Sequence, residues 1–164
     1  MSAGARFSSD RRYRYRLWRR WDPSRPVVAF CMLNPSTADE RSDDPTIRRC
    51  IGFARDWGYG GVEIVNLFAW RSTDPRELLD VRDPVGPRND AYVAKAAERS
   101  ELVVVAWGAH GAARSRDAEV LQLLNSRARL VALGWTRERK PRHPLYLRRD
   151  VRPIVVAAGR RSAA

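Results

Sequence analysis

The chain is poor in cysteine, histidine, lysine and long apolar runs, and each shortage narrows what it can be. Cys31 and Cys50 are the only cysteines in 164 residues, too few to hold a four-thiolate iron–sulfur cluster or a zinc ribbon by themselves. They read as two small buried apolar residues, and their scarcity fits a reducing, cytoplasmic setting. No segment approaches the roughly 20 consecutive apolar residues that cross a bilayer. Met1 to Arg12 carries no apolar stretch of the secretory kind, so neither export nor membrane insertion is expected. Internal repeats and low-complexity linkers are also missing. Only Met1 to Ser9 and Gly159 to Ala164 look loose, which predicts a single domain over residues 1–164 with a core spanning about 10–158.

What is abundant is positive charge. Thirty-one basic residues stand against 19 acidic ones, a formal net charge of +12, and nearly all the basic ones are arginine. Arginine forks grip phosphate in bidentate fashion, and a field of this sign speeds encounter with polyanions. An arginine-rich, lysine-poor chain can equally reflect genome base composition, so charge alone leaves the partner open.

Periodicity supplies the fold class. Arg12 to Trp18 alternates charged with aromatic or aliphatic residues, the period of a half-buried strand, and reads as an N-terminal edge strand or ribbon. Val27 to Leu33, Val62 to Phe68, Leu102 to Trp107 and Leu130 to Leu133 are short, aliphatic and bounded by turn residues, as buried strands are. Asp44 can cap a helix that Pro45 opens. Ile47, Cys50, Ile51, Ala54 and Trp57 then recur at helical spacing until Gly58. Asp90 to Arg99 and Arg116 to Asn125 carry the same period, and Asp74-Pro75 opens a shorter helix. Alternating strands and helices predict an α/β fold: a three-layer α/β/α sandwich around a central, mostly parallel four-stranded sheet. Ligands of such sheets sit beyond the carboxyl ends of the strands.

Those ends carry the most distinctive residues. The first core strand runs into Asn34-Pro35-Ser36-Thr37-Ala38-Asp39, a proline-stiffened turn whose polar groups either satisfy local backbone or meet a ligand. The second holds Asn66 among apolar neighbours, and a buried amide needs partners for two donors and two acceptors, from backbone or from a planar base edge. Gly108 and Gly111 flank His110 and leave room for a phosphate to approach. His143 lies in a loop stiffened by Pro144, either as a structural histidine or as a proton donor. Asp39, Glu40, Asp43 and Asp44 could hold magnesium, but helix capping and solvation account for them more simply.

Met32-Leu33-Asn34-Pro35-Ser36-Thr37-Ala38-Asp39 and Asp44-Pro45-Thr46-Ile47-Arg48-Arg49-Cys50 together resemble the bacterial and phage family known as domain of unknown function 1643. Val65-Asn66-Leu67-Phe68-Ala69, Asp83-Pro84-Val85-Gly86-Pro87 and His143-Pro144-Leu145-Tyr146-Leu147 strengthen the resemblance, which covers most of the chain. More distantly, the order of the loops is similar to the uracil-DNA glycosylase superfamily. That resemblance implies a uracil-DNA glycosylase-like sheet between helices and a base-excising N-glycosylase that needs no cofactor or metal. Asn34 would orient water and His143 would donate to the base. Asn66, with Pro35 and Ser36, would bind the base, while Arg71, Arg142, Tyr146 and His110 would contact nucleic acid. Leu145 stands where the superfamily has serine after His-Pro, and no base-stacking aromatic can be placed. The competing expectation is a module that binds DNA or a nucleotide without turnover.

Overall fold

The structure, a computed structural model, describes residues 1–156. Gly159 to Ala164, expected to be loose, lies outside them. Seven strands form one sheet in the order β1-β2-β4-β3-β5-β6-β7. They are β1 (Ser2–Phe7), β2 (Arg14–Arg20), β3 (Val27–Met32), β4 (Gly61–Asn66), β5 (Leu102–Val105), β6 (Leu130–Ala132) and β7 (Ile154–Val155). Strands β4, β3, β5 and β6 run parallel to one another, whereas β1 with β2, β2 with β4 and β6 with β7 pair antiparallel.

The α/β class is as expected, but the sheet is mixed and wider than four strands. The ribbon expected at one side continues the same sheet, because Leu17 to Arg20 of β2 pair with Gly61 to Ile64 of β4. The N-terminus is also not loose: Ser2 to Phe7 pair along β2 and form the outermost strand. That segment has no alternation of its own, so its strand state comes from its partner.

Helices cover both faces. Helix α1 (Pro45–Asp56) buries Ile47, Cys50, Phe53 and Ala54 against Val28, Phe30, Met32, Val62 and Ile64. Helices α3 (Asn89–Arg99) and α4 (Arg116–Asn125), with the short α2 (Glu77–Asp80), pack Val93, Ala96, Val120, Leu124 and Leu78 against Ala29, Cys31, Val65, Val103 and Val105. Residues 28, 30 and 32 thus face one core and 29 and 31 the other, the two-residue period of a strand buried on both sides. Burial of their apolar surface is the main driving force for this arrangement. Cys31 and Cys50 are free and buried, and desolvation raises both thiols, Cys31 to about 12.

Helix α1 starts where the sequence predicts. The Asp44 carboxylate accepts from the Ile47 amide at 2.9 Å, Pro45 takes the first helical position, and Gly58 turns the chain away with φ of +87°. The second carboxylate oxygen of Asp44 accepts from the Ala38 amide at 3.3 Å, tying the helix start to the loop after β3. Asp44→Ala should therefore cost about 1–2 kcal/mol of unfolding free energy, the usual worth of a side-chain cap. Urea unfolding monitored by far-ultraviolet dichroism measures this, and an unchanged midpoint would show that the cap contributes nothing.

Candidate functional site

A cleft of about 190 Å³ opens at the carboxyl ends of β3 and β4. Its walls include Asn34, Pro35 and Ser36 from the loop after β3, Asn66 from the end of β4, Ser72 and Thr73 from the following loop, and His143. Arg14, Asp44, Met32 and Ile47 complete the lining from the side of α1.

The two loops that form the rim run side by side, and backbone bonds hold them there. Leu67, Phe68 and Ser72 donate amides to the carbonyls of Met32, Leu33 and Pro35. Asn34 reinforces this seam: its Nδ2 donates to Ser72 O at 2.9 Å, Pro35 O at 3.1 Å and Trp70 O at 3.4 Å. With the amide nitrogen committed to backbone, Oδ1 is the group left for a water or ligand, and it can only accept.

Asn66 sits at the floor. Its residue is 1% exposed, and neither Oδ1 nor Nδ2 has a hydrogen-bond partner among the described residues. Buried side-chain amides are nearly always paired, because an unmet donor or acceptor costs about 1–3 kcal/mol. Asn89 fixes the main chain here from α3, donating Nδ2 to the carbonyls of Asn66 at 2.8 Å and Leu67 at 3.0 Å. The backbone is thus satisfied and the side chain is held with both polar edges unused.

His143 reaches the cleft because Gly108 N, after β5, donates to Pro141 O, after β6, at 2.8 Å, while Arg142 N donates to Gly134 O at 3.0 Å and folds the second segment back on itself. The Leu145 amide donates to His143 Nδ1 at 3.2 Å, so in the neutral ring the proton resides on Nε2. Burial lowers the imidazole pKa below its ordinary 6.5, opposed more weakly by Asp44. The ring is a neutral Nε2–H donor around pH 7.

Arg14 is the cleft residue that alternation concealed. In a regular strand it would share a face with Arg16. The register instead slips, with Arg6 opposite Arg16 but Phe7 opposite Arg14, and this bulge at Tyr15 turns Arg14 to the α1 side. Its guanidinium is 2% exposed, donates Nη1 to Ala38 O at 3.0 Å, and leaves Nε without a partner. Desolvation lowers its pKa to about 10, still well above neutrality, with Asp44 acting in the opposite direction.

The structure therefore brings together Asn34, Pro35, Ser36, Asn66 and His143, the five residues expected at the centre of the site. The four residues expected to touch nucleic acid are not among those lining the cleft. Arg71 lines a neighbouring shallow depression with Ser36 and Thr37 and donates Nη1 to Arg11 O at 3.2 Å. Arg142 and His110 are exposed, and Tyr146 is 94% exposed on a residue with φ of +68°. The carboxylates considered for magnesium are engaged elsewhere: Glu40 with Arg11, Asp43 with Arg19, Asp39 with the amides of Arg41 and Ser42, and Asp44 as the cap. No grouping of three or more potential metal ligands occurs among the described residues, nor is any described helix long and apolar enough to cross a membrane.

Two outcomes follow from the polar groups held here. Asn66→Leu, close in volume and free of polar atoms, should leave stability unchanged or raise it by up to about 1–2 kcal/mol; a loss of that size in urea unfolding would mean that the amide is satisfied. For His143, the folded-state pKa lies below the unfolded one, so as pH falls through about 6.5 the unfolded chain takes up the proton first and stability drops. His143→Gln should flatten the stability profile just below that pH, and an equally steep decline would assign it to other groups.

No curated protein and no solved structure matches the chain. One family model does, over residues 14–145, a span that begins at Arg14 and includes every residue lining the cleft. By that match the chain belongs to the family described as protein of unknown function (DUF1643).

Proposed function

We propose that the cleft receives a nucleobase flipped out of a nucleic acid and cleaves its N-glycosidic bond, in the manner of the uracil-DNA glycosylases that the loop order resembles. The observation that carries this reading is Asn66, a buried amide with donor and acceptor both unmet at the floor of the cleft. A pyrimidine edge, with a carbonyl beside a ring N–H, is the complementary partner. Pairing with it would recover what the unpaired amide forgoes.

The neighbouring groups suit the chemistry of base release. As the bond between the sugar carbon and the base nitrogen breaks, its electron pair stays with the base; water then bonds through oxygen to the sugar carbon, and the proton it loses ends on the departing base. The neutral Nε2–H of His143 can donate to a base carbonyl as negative charge builds, and the guanidinium of Arg14 adds a favourable field from the cleft wall. Asn34 cannot take a proton from water at neutral pH; its free Oδ1 accepts one water hydrogen and so orients the nucleophile. Met32, Pro35 and Ile47 supply apolar surface for the ring, with no Phe, Tyr or Trp in the lining among the described residues.

Single-turnover base release from single- and double-stranded oligonucleotides carrying uracil, mismatched or modified pyrimidines is the test. His143→Ala should slow release on the order of 10²–10³-fold, the scale of losing one anion-stabilising donor, and Asn34→Ala should slow it too. Oligonucleotides that bind but retain every base, with no alkali-labile sites, would rule out turnover and leave a binding module.

A further inference from the structure

The bulge that sends Arg14 to the cleft leaves Arg16 on the opposite face of the sheet, where a second depression of about 450 Å³ lies between the β1–β2 ribbon and α3. Arg6, Arg16, Arg88, Lys95 and Arg99 converge on it from three elements, with Tyr92 among them and, among the described residues, no acidic side chain in the lining.

A run of cations on one helix is usually a solvated surface, but three of these five side chains, Arg6, Arg16 and Arg99, are held in place. Glu63, buried on β4, accepts from Arg16 Nε at 2.6 Å and from Arg99 Nη2, and its side chain is only 4% exposed. One carboxylate beneath the groove thus fixes two guanidinium groups while offsetting a single charge out of five. Arg16 and Arg6 lie over the Trp18 ring at 4.3 Å and 5.2 Å from its centroid. Tyr92 stacks on Tyr15 at 5.1 Å, and Tyr15 on Tyr13 at 5.9 Å. Side chains fixed this way forfeit less entropy on meeting an anion than free surface arginines do.

Spacing points to a polymer. Lys95 and Arg99, four apart, share one side of α3, and Arg88 at its N-cap extends the row to about 16 Å at the helical rise. A nucleic-acid strand carries a negative charge at every nucleotide, so a row this long meets several phosphates of one strand at once, where a small anion meets one cation or two. We propose that this groove binds the phosphodiester backbone of nucleic acid, as a site separate from the cleft and independent of any chemistry there.

Fluorescence anisotropy with a labelled oligothymidylate of about 20 nucleotides, titrated at several salt concentrations, tests it. Arg88→Glu combined with Lys95→Glu should weaken binding tenfold or more and reduce the salt slope by about 1.4, at about 0.7 for each single-strand phosphate no longer neutralised. Arg55→Glu combined with Arg129→Glu removes equal charge from exposed positions elsewhere and should change affinity far less. The neutral pair Arg88→Gln and Lys95→Gln serves if the glutamates impair folding, which urea unfolding reports. Equal weakening in groove and control variants would overturn the proposal, since only total charge would then matter. Polyglutamate or phosphatidylserine vesicles binding the wild type as tightly as the oligonucleotide would overturn it as well, in favour of an acidic protein or a lipid surface.

Discussion

The bulge at Tyr15 determines what each face of the sheet can do. Residues two apart in a strand share a face, yet the slipped register between β1 and β2 puts Arg14 and Arg16 on opposite ones. On the α1 side, Arg14 grips the Ala38 carbonyl while Asp44 accepts the Ala38 amide and caps α1. A single residue thereby stitches ribbon, loop and helix into one wall of the cleft. On the α3 side, Arg16 joins Arg99 on Glu63 and builds the floor of the basic groove. An unbulged β2 would place both arginines over Glu63 and leave the cleft without a cation.

The cleft holds polar groups that folding alone does not reward. The Asn66 amide and the Arg14 Nε are buried without partners, and each costs on the order of 1–3 kcal/mol against a satisfied state. They persist because the surrounding structure over-determines them. Asn89 ties the Asn66 and Leu67 carbonyls to α3, and Asn34 spans three carbonyls of the rim. Two extended cores on either side of the sheet carry the stability that offsets this. Groups fixed in advance where a ligand will sit need no reorganisation when charge develops, which is where preorganised sites gain over water.

The parts that were legible in the sequence are those set by local chemistry. Buried parallel strands are continuous aliphatic runs, so β3 to β6 stood out. Asp44-Pro45 announced α1, because capping needs only the residues at the helix start. Asn34, Asn66 and His143 could be grouped because each ends a core strand or lies in the loop that follows one, and strands that run the same way bring those ends to one edge. What escaped depends on distant partners. Ser2 to Phe7 is a strand only because β2 lies beside it, and Arg14 looked like a ribbon residue because a bulge is a register event between two strands. Tyr146, His110 and Arg142 were expected to contact nucleic acid from their place in the loops; where a loop side chain points depends on loop conformation, such as the left-handed backbone at Tyr146, which the sequence does not display.

The same distinction limits what the net charge of +12 can mean. Several arginines are structural: Arg19 holds the carbonyls of Asp39 and Ser42 and the Asp43 carboxylate, Arg114 gathers those of Leu78, Leu79 and Val81, and Arg116 bridges Leu67 O to Asp90 and Glu119. Arginine suits this work because its planar fork satisfies several acceptors at once while remaining charged. Such residues add to the long-range field but offer little to a bound phosphate, since their donors are already spent. Affinity for a polyanion is therefore governed less by the sum over the chain than by the few cations that converge with donors still free. In this fold five cations converge in the groove above Glu63, where Arg16 meets those of α3 and its cap, and the register slip that gives the cleft its arginine is what separates Arg14 from them.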